Sequence, residues 1–139
     1  MALADELYDF IRRRRYGVVS SADAGGAPQA ALVGIAVTPA LEICFDTMAA
    51  TRKAANLRRD PRIALVIGWD NEQSVQYEGV ADEPEGEALA ALKKVYFAAW
   101  PDGPCRESWP GITWFRVRPR WIRFSDFNRA DGVVREIAF

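Results

Sequence analysis

The sequence predicts a mainly β fold of the α+β type: a small split β-barrel of six to seven mostly antiparallel strands with peripheral helices. Three observations carry that expectation. Short apolar, β-prone runs recur along the chain between turns rich in glycine, proline and aspartate. Only three segments show helical spacing. The chain has 139 residues, half of them hydrophobic and 27% charged, enough for one core in a single split-barrel domain over residues 1–139.

Leu3, Leu7, Phe10 and Ile11 fall at helical spacing with Asp5, Glu6 and Asp9 on other faces, which predicts an amphipathic helix from Ala2 to about Arg14. Arg12 to Arg15 closes it, where positive charge complements the helix dipole, and reads as a solvated face. Tyr16 to Ser21 is a short strand. A glycine turn, Ala24 to Pro28, leads to a longer apolar strand, Gln29 to Val37, and the two are expected to pair as a hairpin. Gly34 within that strand marks a bulge, a close approach by a ligand or another backbone, or simple core packing. Thr38-Pro39-Ala40 turns the chain into Leu41 to Phe45 and completes an antiparallel meander.

Phe45 to Pro61 joins that strand to a short helix that a proline stops. The Thr51 hydroxyl is placed to cap the helix, which puts Arg52 and Lys53 in its first turn. A helix N-terminus carries about half a positive charge, so cations there are repelled unless an anion sits among them. A phosphate resolves the conflict, because free backbone N–H groups, a hydroxyl, a guanidinium and an ammonium then face one dianion.

Further along, Arg62 to Gly68 is a strand, Trp69 to Glu72 a loop, and Ser74 to Ala81 a strand whose alternation puts Gln76 and Glu78 on a polar face. Gln76 is a candidate to hydrogen-bond a heterocycle edge. Pro84 to about Trp100 has helical spacing and is expected on the barrel's outside. Trp100 to Pro104 and Glu107 to Gly111 are loops, and Trp109 in the second is a candidate lid over a planar ligand. Two final strands, Thr113 to Val117 and Arg120 to Phe124, are joined across Arg118-Pro119, and Val133 to Phe139 is read as an edge strand.

Composition narrows the chemistry. A net charge of −1 gives no electrostatic footprint for nucleic acid, and no apolar run approaches the ~20 residues that cross a membrane. Acidic residues stand where a signal peptide would be basic and then apolar, so a cytoplasmic protein is expected. Cys44 and Cys105 have no metal-ligand spacing, and no metal site is predicted. The chain has no histidine, which excludes histidine-based nucleophilic and acid–base catalysis and most transition-metal sites. An enzyme so built borrows its chemistry from a cofactor.

Taken in order and spacing, several segments resemble the FMN-binding split-barrel family related to pyridoxamine 5′-phosphate oxidase. They are Tyr16 to Ser21 with the glycine turn and Pro28-Gln29, Phe45-Asp46-Thr47, Thr51-Arg52-Lys53 with Leu57 and Asp60-Pro61, Val75 to Ala81, Phe115 to Pro119 and Trp121 to Phe124. The resemblance implies that Thr51, Arg52 and Lys53 hold the FMN phosphate, that Asp46 and Thr47 lie along the ribityl chain and ring, and that the strand backbone at Leu32, Val33 and Gly34 approaches the isoalloxazine; Phe45, beside Asp46, is a further cofactor-binding candidate. It also implies a homodimer with the flavin at the interface, where Trp109, Ser125 or Arg129 would reach the partner's flavin. Gln76 completes the candidate set. The oxidase itself resembles this chain less at Ala31 and Ala36, where it has an arginine and a lysine, and at Ser125, where it has a tryptophan; its histidine-containing C-terminal substrate motif is missing. Pyridoxamine phosphate oxidation is therefore not expected.

The expected function is an FMN-dependent oxidoreductase of an unidentified small molecule, with hydride transfer at flavin N5 and no protein nucleophile. Relatives that bind the deazaflavin F420 share the barrel, so F420 is the alternative cofactor. A non-catalytic flavin or redox-sensing module is the alternative role. A nucleic-acid barrel using Arg12 to Arg15, Arg58 and Arg59 ranks below both, because those arginines lie at separate helix ends.

Overall fold

The computed structural model describes residues 2–128, 130 and 132–139. Its elements, in chain order, are α1 (Leu3–Arg14), β1 (Tyr16–Ala22), β2 (Pro28–Gly34), β3 (Ala36–Val37), β4 (Ile43–Met48), α2 (Arg52–Arg59), β5 (Arg62–Ile67), β6 (Gln73–Asp82), α3 (Gly86–Ala99), a 3₁₀ turn at Gly103–Arg106, β7 (Ile112–Asp126) and β8 (Val133–Ala138). The strands form one sheet in the order β2-β1-β5-β6-β7-β4-β3, with β8 also on β7, and every pairing is antiparallel. The sheet curls because its first and last strands, β2 and β3, are separated in the chain by Ile35 alone. This is the split half-barrel with peripheral helices that the sequence predicts, although the described residues include eight strands rather than six or seven.

Alternation decides which side each strand buries. Along β5, Ile63, Leu65 and Ile67 are buried while Arg62, Ala64 and Val66 face out. Val75 and Tyr77 of β6, Phe45 of β4, and Phe115, Val117 and Ile122 of β7 join them inside, closed off by Leu7 and Ile11 of α1 and by Ala54 and Leu57 of α2. A second apolar layer lies on the outside, where Leu92 and Tyr96 of α3 cover Ala36, Cys44 and Trp114.

Three sequence expectations need correction. Gln29 to Val37 is not one strand: it breaks at Ile35, whose N–H donates to the Arg15 carbonyl at 2.8 Å, so that β2 pairs with β1 and β3 with β4. Gly34 lies at that break for a packing reason. A Cβ there would stand 2.7 Å from the Trp100 ring, whose indole N–H donates to the Ile35 carbonyl at 2.9 Å. The strand expected over Leu41 to Phe45 starts at Ile43 and runs on to Met48, so Asp46 and Thr47 are ladder residues. Leu41 precedes it in a left-handed turn (φ 65°), held by the Tyr77 hydroxyl, which donates to its carbonyl at 2.7 Å.

The third correction concerns Pro119, which does not divide two strands. β7 is continuous because its second neighbour changes at that point: β4 flanks Ile112 to Val117 and β8 flanks Trp121 to Asp126, so neither ladder needs the missing N–H. On the other side the β6 register shifts between Glu78 and Gly79, leaving Arg120 as the extra residue of a bulge. Gly79 is required there, since a Cβ would run into the Arg118 carbonyl oxygen.

Candidate cofactor site

Helix α2 begins as the sequence predicts. Thr51 is its extended N-cap (φ −74°, ψ 156°), and its hydroxyl oxygen accepts from the Ala54 N–H at 3.4 Å. The same hydroxyl donates to the Met48 carbonyl at 2.8 Å and lies 3.3 Å from the Thr47 hydroxyl. Ala54 and Leu57 are buried in the barrel core, which fixes the helix rotation and turns the first-turn side chains toward the barrel mouth. Arg52 is exposed and Lys53 half-buried, and among the described residues neither has a carboxylate partner. Burial pushes the Lys53 pKa below its ordinary value, because a desolvated ammonium without a counter-ion is costly.

These residues form one wall of a cavity of about 370 Å³, lined by Val19 and Ser21 of β1, Gln29, Ala30 and Ala31 of β2, and Ala50, Thr51, Arg52 and Lys53 at the head of α2. No acidic side chain is among them. Asn56, 4% exposed, stands behind this wall and donates its amide N–H₂ to both Ser21 Oγ at 3.1 Å and Gln29 Oε1 at 2.9 Å. The lining is therefore rich in donors and cations and poor in acceptors, and Ala30 and Ala31 keep it open. Such a lining suits an anion.

Sequence reasoning missed Ser21, Gln29 and Asn56 as members of this site. The available signal was Asn56: it shares the inward face of α2 with Leu57, and a polar residue on a buried helix face needs partners.

The remaining candidates are dispersed. Asp46 and Thr47 are successive strand residues and face opposite ways. Thr47 turns toward Thr51, while Asp46 accepts from the Tyr96 hydroxyl at 3.2 Å and pairs with Arg106 at 3.3 Å beneath α3. The Phe45 side chain is fully buried against Phe115, and Val33 is in the same core. Gly34 is covered by Trp100. Leu32, 60% exposed, and Gln76 lie on the outer sheet face, in one cross-strand row through Val18 and Val66. Trp109 is exposed on a loop tied to the α2 head by the Ala49 N–H, which donates to the Gly111 carbonyl at 2.7 Å, but it does not line the cavity. Ser125 is buried between Ser74 and Val134, and Arg129 lies outside the described residues.

A larger groove of about 590 Å³ crosses the outer face of β1, β5 and β6, where Ser20, Ala64 and Val80 line an open, mainly apolar surface. Among the described residues no helix is long and apolar enough to cross a membrane, and no group of three or more His, Cys, Asp or Glu side chains is placed to hold a metal ion.

Comparison with known proteins agrees with this architecture. The family profile described as pyridoxamine 5′-phosphate oxidase matches residues 3–126. No curated protein matches the chain. A haem-binding protein from Mycobacterium smegmatis superposes with a TM-score of 0.83 at 20% identity, over 99% of this chain and 59% of its own, so the chain spans well under two thirds of that protein. A conserved hypothetical protein from Mycobacterium tuberculosis gives a TM-score of 0.74 at 28% identity, covering 92% of this chain and 86% of the other. The General Stress Protein 26 of Bacillus anthracis gives 0.72 at 17% identity, over 99% of this chain and 100% of its own.

Proposed function

The chain belongs to the pyridoxamine 5′-phosphate oxidase family, and we propose that it is a flavin-binding oxidoreductase whose 370 Å³ cavity receives the phosphate end of FMN. One observation carries this reading: a hydroxyl-capped helix start bears two cations that have no carboxylate among the described residues, one of them half-buried. Buried charge without a partner is retained where a ligand supplies the counter-charge. The phosphate accepts from the Arg52 guanidinium and the Lys53 ammonium, and the free N–H groups of the first turn add to them.

Bound FMN would supply the hydride or electron acceptance that a chain without histidine lacks. The residues of the chain bind and orient it. Ala31 and Ala36 stand where the oxidase has cations; Ala31 leaves the cavity wider, and Ala36 is buried under α3, so neither supplies a third charge. The ring end of the site and the substrate accordingly differ from those of the oxidase. The deazaflavin F420, the alternative cofactor, carries its phosphate as an internal diester with a single negative charge, which matches two cations less well than the FMN monoester does.

The outer sheet face supports a homodimer. Leu32 at 60% and Val66 at 41% exposure stand among small Ala30, Ser20 and Ala64, an exposed apolar patch that a second copy would cover. A partner placed there would bring its own Gln76 and Leu32 to the interface.

The haem-binding relative motivates a second reading. Against it, the chain offers no histidine as an axial ligand, and burial pushes the Cys44 thiol up to about 12, so it is no thiolate. The visible spectrum of the purified protein tests both. An oxidised-flavin spectrum, with FMN released on denaturation, supports the flavin reading. A colourless protein that acquires a Soret band with added haem, and none of the flavin features with added FMN, overturns it.

A further inference from the structure

We infer that Gln29 is the neutral third donor of the phosphate pocket and that Asn56, which touches no ligand, is the positioning residue that aims it. The inference rests on the phosphate reading above and goes beyond it.

Asn56 is the only described residue to which the Gln29 side chain is hydrogen-bonded, through Oε1 at 2.9 Å. That bond commits the acceptor end of the Gln29 amide, so its N–H₂ end points away from Asn56, and Gln29 itself lines the cavity. Both Asn56 donors are used, one on Ser21 and one on Gln29, and its burial at 4% holds it in place. Ser21 and Gln29 come from the two strands of the β1–β2 hairpin, where they sit opposite each other in register. One buried amide thus joins helix and hairpin behind the pocket wall and fixes the direction of a third group that lines the pocket.

The charge balance gives this a chemical meaning. Arg52 and Lys53 supply two positive charges, which match a phosphate monoester dianion. A neutral amide adds a hydrogen bond without over-charging the pocket, whereas a carboxylate there would repel the ligand and a third cation would favour more highly charged anions. The ligand class is therefore a phosphate monoester at the end of a polar chain, rather than a polyphosphate.

The test measures equilibrium affinity for FMN and for riboflavin, which lacks the phosphate, in the full chain and in Gln29→Ala, Gln29→Glu, Asn56→Leu and the Gln29→Ala/Asn56→Leu double variant. Gln29→Ala and Asn56→Leu are each expected to weaken FMN roughly ten-fold and leave riboflavin unchanged, with the double variant no worse than either single one. Gln29→Glu keeps the bond to Asn56, so it folds even where Asn56→Leu does not, and it should weaken FMN more than Gln29→Ala does. Gln29→Glu with wild-type FMN affinity, or losses that add in the double variant, overturns the inference. In that case FMN binding that is still lost in Arg52→Ala/Lys53→Ala leaves the phosphate reading intact. A wild-type protein that binds FMN and riboflavin equally overturns both.

Discussion

At the C-terminal end of α2, Arg58 meets Glu83 at 2.6 Å, Arg59 donates to the Ala22 carbonyl, and Arg62, just beyond, holds Asp60 at 2.7 Å; at the N-terminal end, Arg52 and Lys53 have no carboxylate among the described residues. The electrostatics of the helix run the other way. Its dipole welcomes cations at the C-terminus and opposes them at the N-terminus, so the cations that least need partners have them and those that most need partners do not. A helix selected for stability alone would reverse the arrangement, or place Asp or Glu in the first turn, where α2 has none. Unmet charge at the start, rather than positive charge in general, is what marks the head of α2 as the candidate site.

Variants at the two ends should therefore respond differently. The largest effect is expected from Arg52→Ala/Lys53→Ala, which should weaken FMN by roughly 10²- to 10³-fold in a fluorescence titration. The ligand-free protein should melt no lower, since the variant removes repulsion from the dipole. A lower Tm with unchanged FMN affinity would assign both cations to the fold. Thr51→Ala comes next: loss of the cap should cost about 1 kcal/mol of stability by denaturant unfolding and also weaken FMN, because the hydroxyl orders the first turn. At the other end, Arg58→Ala should lower Tm only slightly, as the Glu83 pair is part-exposed, and leave FMN affinity untouched.

Two pH dependences sharpen the contrast. Arg58, followed by the Thr113 hydroxyl, holds the Glu83 carboxyl below its ordinary value of 4.5. Glu83 is thus more acidic when folded. Its contribution is present above pH 4.5, falls away as the pH drops through the folded value, and should shrink in the acid unfolding curve of Arg58→Ala. Lys53 shows the opposite case, a cation whose pKa burial lowers from 10.5. Bound phosphate favours its charged form, so FMN affinity should start to fall, as pH rises, below the ordinary lysine range. That alkaline loss should be absent in Lys53→Ala.

The head of α2 is legible in the sequence because it is local: a cap, two cations and a proline stop all lie within a dozen residues, and Thr51 caps α2 as expected. It does not show what depends on alternation or on distant partners. Treating Asp46 as a post-strand residue hid the fact that β4 extends to Met48 and turns Asp46 away from Thr47, toward Arg106 and Tyr96. The Gln29–Asn56 bond joins residues 27 apart and leaves no periodic trace. The break at Ile35 depends on Trp100 packing over Gly34 from a helix end 65 residues further on. Pro119 looked like a boundary because a proline in a strand usually is one, and only the change of neighbour from β4 to β8 makes it tolerable in β7.

The central claim is that the head of α2 binds a phosphate, and a paired titration of the wild-type protein with FMN and riboflavin tests it most directly. The two ligands share the ring and ribityl chain and differ only in the group that Arg52 and Lys53 are held to bind. The account predicts FMN binding at least roughly a hundred-fold tighter than riboflavin, with the difference shrinking as salt rises. Equal affinity for the two, or no binding of either, would contradict it.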